Sequence, residues 1–490
     1  MLDEDRCYRA LRARDARFDG RFFVAVRTTG IYCRPICPAR PAKRENVRFF
    51  TNPAAAEEEG FRPCRRCRPE TAPGSPAWVG TPATVVRGLR LITDGALDES
   101  DVLTLAARLG VGDRHLRRLF LRHLGAPPLA VARTRRAHFA RRLIDETRLP
   151  MTEVAFAAGF RSLRQFNAVL RSTFGAPPSL LRSGVRAPQT KAEALSLRLA
   201  VRPPFDPDLV LGFLAPRAMP GVEEVTGDRY RRLLRLADGP AVLEIEVGPG
   251  APAVVLRVSR AVGTGLMAVV QGARRLFDLD ADGAAVHAHL RRDRGLARLL
   301  PAPGALRLPG TLVPFELAVR AVVGQQVSVA AARTLAGRLV AAFGERVSEE
   351  GPLTHLFPSP ERLAEADLGG IGLTAARAAT LKALARAVAD DTIRLDTGAP
   401  LEDTRAALLE VPGIGPWTAE YVALRALGDP DAFPASDLGL RQALAEGGSP
   451  LSAADLARRA EAWRPWRGYA AVSLWHSLGA SPARRERRKP

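Results

Sequence analysis

Leu409-Glu410-Val411-Pro412-Gly413-Ile414-Gly415-Pro416-Trp417-Thr418-Ala419 reads as the end of one helix, a tight glycine turn and the start of a second helix. Pro416 fits the first helical position, where a missing amide hydrogen costs no hydrogen bond. Gly413 and Gly415 let the backbone approach a phosphate closely, and the amides opening the second helix face that anion. Phe433-Pro434-Ala435-Ser436-Asp437-Leu438-Gly439-Leu440 follows, with Asp437 where a carboxylate would cap a helix. Helical spacing of apolar residues runs from about Pro314 to Ala480, broken by short Gly/Pro turns.

Upstream the period changes. Apolar residues alternate at Leu195, Leu197, Leu199 and Val201, at Leu243, Ile245 and Val247, and through Val254 to Val258. These predict antiparallel strands with intervening helices. Residues 82–183 are helical in pattern and rich in arginine. Within them Gly125-Ala126-Pro127-Pro128 recurs as Gly175-Ala176-Pro177-Pro178. Leu116, Leu119 and Phe120 recur as Phe166, Val169 and Leu170, and Leu105-Ala106 and Gly110 as Val154-Ala155 and Gly159. Two copies of one helix–turn–helix unit, with a slightly longer second turn, explain this. The turns are Gly110-Val111-Gly112 and Gly159-Phe160-Arg161-Ser162. Segments 69–76 and 186–190 read as linkers, and 483–490 as a basic tail.

Cys33, Cys37, Cys64 and Cys67 are four of the five cysteines, and none follows Cys67. Two close pairs separated by a loop give a tetrahedral four-thiolate zinc arrangement. No histidine precedes His115, which excludes a mixed site here. A structural zinc contributes on the order of 10 kcal/mol to folding of such a unit. By spacing alone the site is a zinc knuckle with no chemistry.

The 490 residues suffice for three or four domains. Lysine and arginine number 72 against 52 acidic residues, a net charge of +20, and only four are lysines. Arginine's planar fork suits phosphate and guanine, so nucleic acid is the expected partner. GC-rich codons would also supply part of that count. Met1 to Phe18 is charged and no 18-residue apolar run occurs, so the chain is expected in the cytoplasm, with no membrane partner. Clustered cysteines there favour metal over disulfides.

Phe23-Val24-Ala25-Val26-Arg27-Thr28-Thr29-Gly30-Ile31-Tyr32-Cys33-Arg34-Pro35-Ile36-Cys37 resembles the N-terminal domain of Ada-type alkylation-response proteins. So do Arg44-Glu45-Asn46-Val47 and Gly60-Phe61-Arg62-Pro63-Cys64-Arg65-Arg66-Cys67, and the likeness covers most of residues 5–70. It implies that Cys33 is both zinc ligand and nucleophile, accepting a methyl group from a methylphosphotriester in DNA. Zinc would keep the thiol deprotonated. Four thiolates on one zinc leave a net negative charge that repels phosphate. Methylating Cys33 removes part of it and should tighten DNA binding. Arg34, Arg40, Arg62, Arg65 and Arg66 would supply phosphate contacts. Cys7 stands outside this set.

The repeat resembles the AraC-type DNA-binding domain. Its recognition helices would read major-groove segments roughly 34 Å apart. Arg114, His115, Arg117 and Arg118 in the first, and Arg164, Gln165, Asn167 and Arg171 in the second, would face DNA. Ser162 is placed to cap the second helix. Leu116, Leu119 and Phe120 read as core.

The hairpin followed by Asp437 is the signature of helix-hairpin-helix DNA glycosylases, and residues 197–480 resemble the AlkA-type 3-methyladenine DNA glycosylases. Leu211-Gly212-Phe213-Leu214, Phe315-Glu316-Leu317-Ala318-Val319-Arg320-Ala321, Gly324-Gln325-Gln326-Val327-Ser328-Val329 and Ala462-Trp463-Arg464-Pro465-Trp466-Arg467-Gly468-Tyr469-Ala470 carry the likeness. It implies that Asp437 stabilises the oxocarbenium-like sugar. Trp417, Tyr421, Trp475 and Phe213 would line a cleft favouring a cationic flipped base. Gln326 takes the place of the family's leucine wedge, and Gly413, Gly415 and Thr418 would meet DNA. Pro416 replaces a residue that is often basic. The carbonyls of Leu409, Val411 and Ile414 would hold a monovalent cation. Strand-cutting relatives carry a lysine where this chain has Trp417, so base removal alone is expected. Without C-terminal cysteines an iron–sulfur cluster is excluded.

The expected fold is multidomain and mainly α. A small α/β zinc domain (1–73) precedes an AraC-type tandem helix-turn-helix (82–185). An α+β glycosylase follows, with a small antiparallel sheet subdomain (195–305) and an all-α helix-hairpin-helix subdomain (306–482). The expected chain is an alkylation-damage sensor, transcription regulator and monofunctional glycosylase. It would be a bacterial monomer working on double-stranded DNA with RNA polymerase, and nucleoid-associated when bound to DNA. Two alternatives stay open: an activator with an inactive glycosylase half, and a repair enzyme whose front half only adds DNA affinity.

Overall fold

The structure is a computed structural model describing residues 3–72, 83–182, 195–236, 239–248, 253–259, 265–396, 398–445 and 449–479. The 186–190 linker and the 483–490 tail lie outside these. Two compact units emerge: Met1–Pro203 with Arg235–Ile245 and Ala251–Arg274, and Pro204–Leu234 with Glu246–Gly250 and Arg275–Pro490.

The first unit opens on helix Glu4–Ala13, capped by Asp3, and a four-stranded sheet. Its strands are β1 (Phe23–Val26), β2 (Ile31–Cys33), β3 (Val47–Phe50) and β4 (Arg62–Pro63), in the order β3-β1-β2-β4. The two-residue period of β1 sends Val24 to one face, with Cys7, Leu11 and Phe22. Phe23 and Ala25 go to the other, with Tyr32, Phe50 and the Ala54-Ala55-Ala56 run. β2 pairs with β4 in parallel, Tyr32 opposite Pro63. That register brings Cys33 and Cys64 together. Pro69–Thr71, expected to be linker, form a short 3-10 turn instead. Arg68 beside it bonds Asp145 at 2.5 Å, which ties the segment down.

The predicted repeat is present. Helices Val102–Arg108 and Asp113–Leu124 form the first unit, Met151–Ala157 and Leu163–Phe174 the second, with Pro128–Glu146 between them. Leu116 and Phe120 are buried at the positions where Phe166 and Leu170 recur. Gly125 and Gly175 end the recognition helices at φ +73° and +70°, a left-handed turn that glycine enters freely.

β5 (Leu195–Ala200), β6 (Glu223–Thr226), β7 (Arg229–Leu236), β8 (Gly239–Glu246) and β9 (Ala253–Val258) follow the order β5-β9-β8-β7-β6. The expected alternations fall on β5, β8 and β9. β6 and β7 have no hydrophobic alternation to show them. On β7 the inward positions include Arg232, buried by pairing with Glu316 at 2.7 Å and Glu223 at 3.3 Å.

The helical pattern after Pro314 gives helices Pro314–Val323, Val329–Phe343, Ala375–Ala389, Leu401–Leu409, Pro416–Arg425 and Arg467–Gly479, with shorter ones between. Phe315, Leu317, Leu339, Leu381, Leu408 and Val422 share their core. Only the two-residue strands Glu345–Arg346 and His355–Leu356 interrupt the pattern among the described residues. No described helix is long and apolar enough to cross a membrane.

Candidate functional site

The sulfurs of Cys33, Cys37, Cys64 and Cys67 lie within 4.8 Å of one another. Cys33 closes β2 and Cys64 directly follows β4. The Cys64 amide donates to the Tyr32 carbonyl at 2.9 Å, and the Arg34 amide points at Cys67 Sγ at 3.3 Å. Four sulfurs this close together fit a four-thiolate zinc ion. Cys33 and Cys64 are half-buried, and Cys37 and Cys67 buried. Cys7 is apart, in the apolar cluster, where burial raises its thiol to about 11.

Arg40, Arg62 and Arg66 are exposed around this cluster. Arg34 is not available to phosphate. Its guanidinium pairs with Asp19, Nε to Oδ1 at 2.9 Å, and reaches the Cys67 carbonyl at 3.2 Å. Arg65 donates to the Phe174 carbonyl at 3.2 Å.

On the recognition helices Arg114, His115, Arg117 and Arg118 are exposed, as are Arg164, Gln165, Asn167 and Arg171. Ser162 caps the second helix through the Gln165 amide at 3.2 Å. Arg118 is bonded to His115 at 2.9 Å, and Asn167 to the Leu163 carbonyl at 2.8 Å.

In the second unit Asp437 caps the short helix Leu438–Ala443. Oδ1 accepts the Leu440 amide at 2.9 Å and the Trp475 indole at 3.1 Å, and Oδ2 accepts the Trp417 indole at 2.8 Å. The carboxylate that caps this helix is thus the one held between two indoles. Trp417 stacks on Tyr421, centroids 5.3 Å apart and planes 13° from parallel, and Trp475 meets Tyr421 edge-on at 5.9 Å.

Phe213 differs from the expectation. It is 3% exposed, with Arg217 3.9 Å and Arg425 4.7 Å from its ring centre. It is a floor beneath guanidiniums rather than an open stacking face. Arg425 also donates to Tyr421 Oη at 2.9 Å. Burial pushes the Tyr421 phenol up, but Arg425, Arg217 and Arg320 outweigh it and hold the phenol below its ordinary value. His476 lies 5.9 Å from Phe213, and burial lowers its imidazole to about 4. Sequence reading missed Arg217, Arg425 and His476. Arg217 sits one helical turn after Phe213, and Arg425 one turn after Tyr421, which is the only signal that marks them.

The hairpin glycines are not equivalent. Gly413 has φ +89°, and a Cβ there would overlap Thr380 Oγ1. Gly415 has φ −101°, and a Cβ there meets nothing within 4 Å. The fold requires the first and leaves the second open. Thr418, expected at DNA, is 2% exposed, and its Oγ1 is bonded to Gln325 Nε2 at 2.9 Å. Burial turns that side chain inward. Gln325 also donates to the Gly413 carbonyl at 3.0 Å, and Arg377 holds the Gln325 carbonyl at 2.7 Å. On this tethered turn Gln326 is exposed at φ +54°. Among the hairpin carbonyls, Val411 already accepts the Ile414 amide at 3.0 Å, and Leu409 ends the first helix.

Four family profiles match the chain. "Metal binding domain of Ada" covers residues 6–70 and "Helix-turn-helix domain" 105–184. "AlkA N-terminal domain" covers 196–313 and "HhH-GPD superfamily base excision DNA repair protein" 319–467. They define a zinc-binding, helix-turn-helix protein joined to a base-excision repair scaffold. The chain is 48% identical to the "Probable bifunctional transcriptional activator/DNA repair enzyme AlkA" of Mycobacterium tuberculosis, over 97% of each chain. It belongs to that family. It is 37% identical to "DNA-3-methyladenine glycosylase 2" of Escherichia coli, over 57% of this chain and 97% of that one. With the Escherichia coli "Bifunctional transcriptional activator/DNA repair enzyme Ada" it shares 35% identity, over 37% of this chain and 50% of that one. A solved 3-methyladenine DNA glycosylase from Archaeoglobus fulgidus shares the fold at 23% identity and a TM-score of 0.50, covering 57% of this chain and 96% of that one.

Proposed function

We propose that the chain senses and repairs alkylated DNA with two separate reactive centres. The first releases alkylated bases, 3-methyladenine among them, by hydrolysis. The C1′–N bond breaks with its electron pair leaving on the base, Asp437 stabilises the positive sugar, and water adds at C1′ and gives up a proton. The observation carrying this reading is the three N–H donors that fix both oxygens of Asp437 beside the Trp417–Tyr421 stack. A cationic base stacking there is a good leaving group and needs little acid help. Gln326 fills the gap left by the flipped nucleotide, and the open approach at Gly415 receives a DNA phosphate. The hairpin carbonyls of Leu409, Val411 and Ile414 hold a monovalent cation. With Trp417 where lyases have lysine, the product is an abasic site.

At the second centre Cys33 takes a methyl group. An S–CH3 bond forms, the O–CH3 bond of the phosphotriester breaks, and its electrons stay on the phosphate oxygen. Zinc supplies thiolate character at the four cysteines. Methyl transfer lowers the negative charge there, so the tandem helix-turn-helix binds its promoters more tightly and recruits RNA polymerase. The parts are residues 1–73, 82–185, 195–305 and 306–482, working as a monomer on cytoplasmic DNA.

Wild type and Asp437→Asn incubated with methylated duplex test the first centre. Release of free 3-methyladenine by wild type alone is expected. Equal release by both discards Asp437, and release by neither favours an activator with an inactive glycosylase half.

A further inference from the structure

The zinc domain grips the two helix-turn-helix units at matching places. Asn52 Nδ2 donates to the carbonyl of Leu124, the last residue of the first recognition helix, at 2.5 Å. Arg65 donates to the carbonyl of Phe174, the last residue of the second, at 3.2 Å. Leu124 and Phe174 are equivalent in the repeat. The glycine after each is also covered from the same side. A Cβ on Gly125 would stand 3.2 Å from Ala55, and one on Gly175 would stand 3.0 Å from an Arg62 nitrogen.

Helix Pro128–Glu146, which joins the two units, is held by a buried carboxylate. Glu57 Oε1 meets the Tyr32 hydroxyl at 2.8 Å and His138 Nε2 at 3.1 Å, and Oε2 accepts the Thr134 hydroxyl at 2.6 Å. Ala126 and Ala130 complete the apolar contact against Ala54, Ala55 and Ala56.

Carbonyls at a helix end need outside donors, yet water could serve an exposed end equally well. Two donors sent from one small domain to two equivalent ends do more than satisfy them. We propose that the zinc domain sets the spacing of the two recognition helices, with Asn52, Arg65 and Glu57 as positioning residues. The grips differ in kind. Asn52 is the cap of helix Pro53–Glu58, its Oδ1 taking the Ala55 amide at 3.0 Å. Arg65 lies between Cys64 and Cys67, so the second helix hangs on the metal-binding loop itself.

The proposal rests on the reading that the tandem helix-turn-helix recognises sequence. Zinc-loaded full chain would select duplexes from a random pool, and the enriched site would be remade with one base pair inserted between its halves. The insertion is expected to weaken wild-type binding tenfold or more, and to weaken the Asn52→Ala, Arg65→Ala double variant by less than threefold. Arg65→Lys, which keeps a donor, is expected to restore part of the discrimination. Zinc content and base release by the same preparations, unchanged, show that the double variant is folded. A double variant as sensitive to the insertion as wild type overturns the spacing role. A pool from which no two-part site emerges overturns the sequence-reading assignment, and the spacing role with it.

Discussion

The cysteine cluster and the Asp437 carboxylate, the two centres proposed above, are each held still, by opposite means. Cys33 is placed by strand pairing. β2 and β4 run side by side, and their ends bring two cysteine pairs together in a set that a metal ion would close. Almost everything there lies within one short stretch of chain. Asp437 is placed by hydrogen bonds from distant residues, Trp417 before it and Trp475 after it, and it caps a six-residue helix as well. The first design depends on an ion for stability. The second depends on a packed all-α core and on three N–H donors.

That contrast predicts independence. Asp437→Asn should lower base release by about 10²–10³-fold or more. The amide nitrogen of asparagine would face an indole or backbone N–H, since both oxygens of Asp437 already accept from donors. Methyl transfer measured on the same preparation should not change. Cys33→Ser should abolish methyl transfer and spare base release, while Cys7→Ser, buried outside the cluster, spares both. Loss of both activities in either of the first two variants breaks the comparison.

Chelation probes the metal side. Stripping zinc should unfold the N-terminal domain, whose folding owes on the order of 10 kcal/mol to the metal. Release of 3-methyladenine should persist at the metal-loaded rate. Circular dichroism and the glycosylase assay on one sample read both, and parallel loss would mean that the two centres are not separable.

The hairpin glycines sharpen the second side. Gly413→Ala forces φ +89° on alanine and drives its Cβ into Thr380, so a loss of about 2–4 kcal/mol in unfolding free energy is expected. Gly415→Ala meets neither obstacle. Its stability should stay within about 0.5 kcal/mol of wild type, while DNA affinity falls severalfold in a salt-dependent titration. Unchanged affinity would remove the phosphate from Gly415.

What the sequence made legible follows the same division. The cysteines, the helix-turn-helix repeat and the hairpin are local patterns, each readable within a few dozen residues, and each has its expected form. The deeper parts of the pocket are not local. Arg425 reaches Phe213 from a separate helix and Arg217 from the turn that follows Phe213, and only their four-residue spacing from Tyr421 and Phe213 sets them apart from the chain's many other arginines. β7 is hidden for a related reason, because Arg232 occupies a buried position where an apolar residue would mark the strand. Thr418 and Arg34 suit a DNA contact by type and position. Gln325, 93 residues from Thr418, and Asp19, 15 residues from Arg34, turn them inward.

Two aspartates of the second unit give the finest test of how the scaffold handles charge. Asp437 is met by three N–H donors. Asp278 has one oxygen accepting the Leu308 amide at 2.9 Å and the Tyr469 hydroxyl at 2.8 Å, and burial pushes its carboxyl up to about 7. A carboxyl raised above its unfolded value stays protonated in the fold while the unfolded chain ionises. Stability is therefore lost as pH rises from the ordinary carboxylate range through about 7, and the whole penalty is present above that. Asparagine keeps the accepting oxygen, carries no charge, and suits the left-handed backbone at φ +50°. Asp278→Asn should stabilise the second unit by on the order of 2 kcal/mol at pH 8. The gain should shrink through pH 6 and vanish near pH 4, while base release is unchanged. Denaturant titrations across that range read the trend directly, and a gain independent of pH would assign it to packing rather than to the proton.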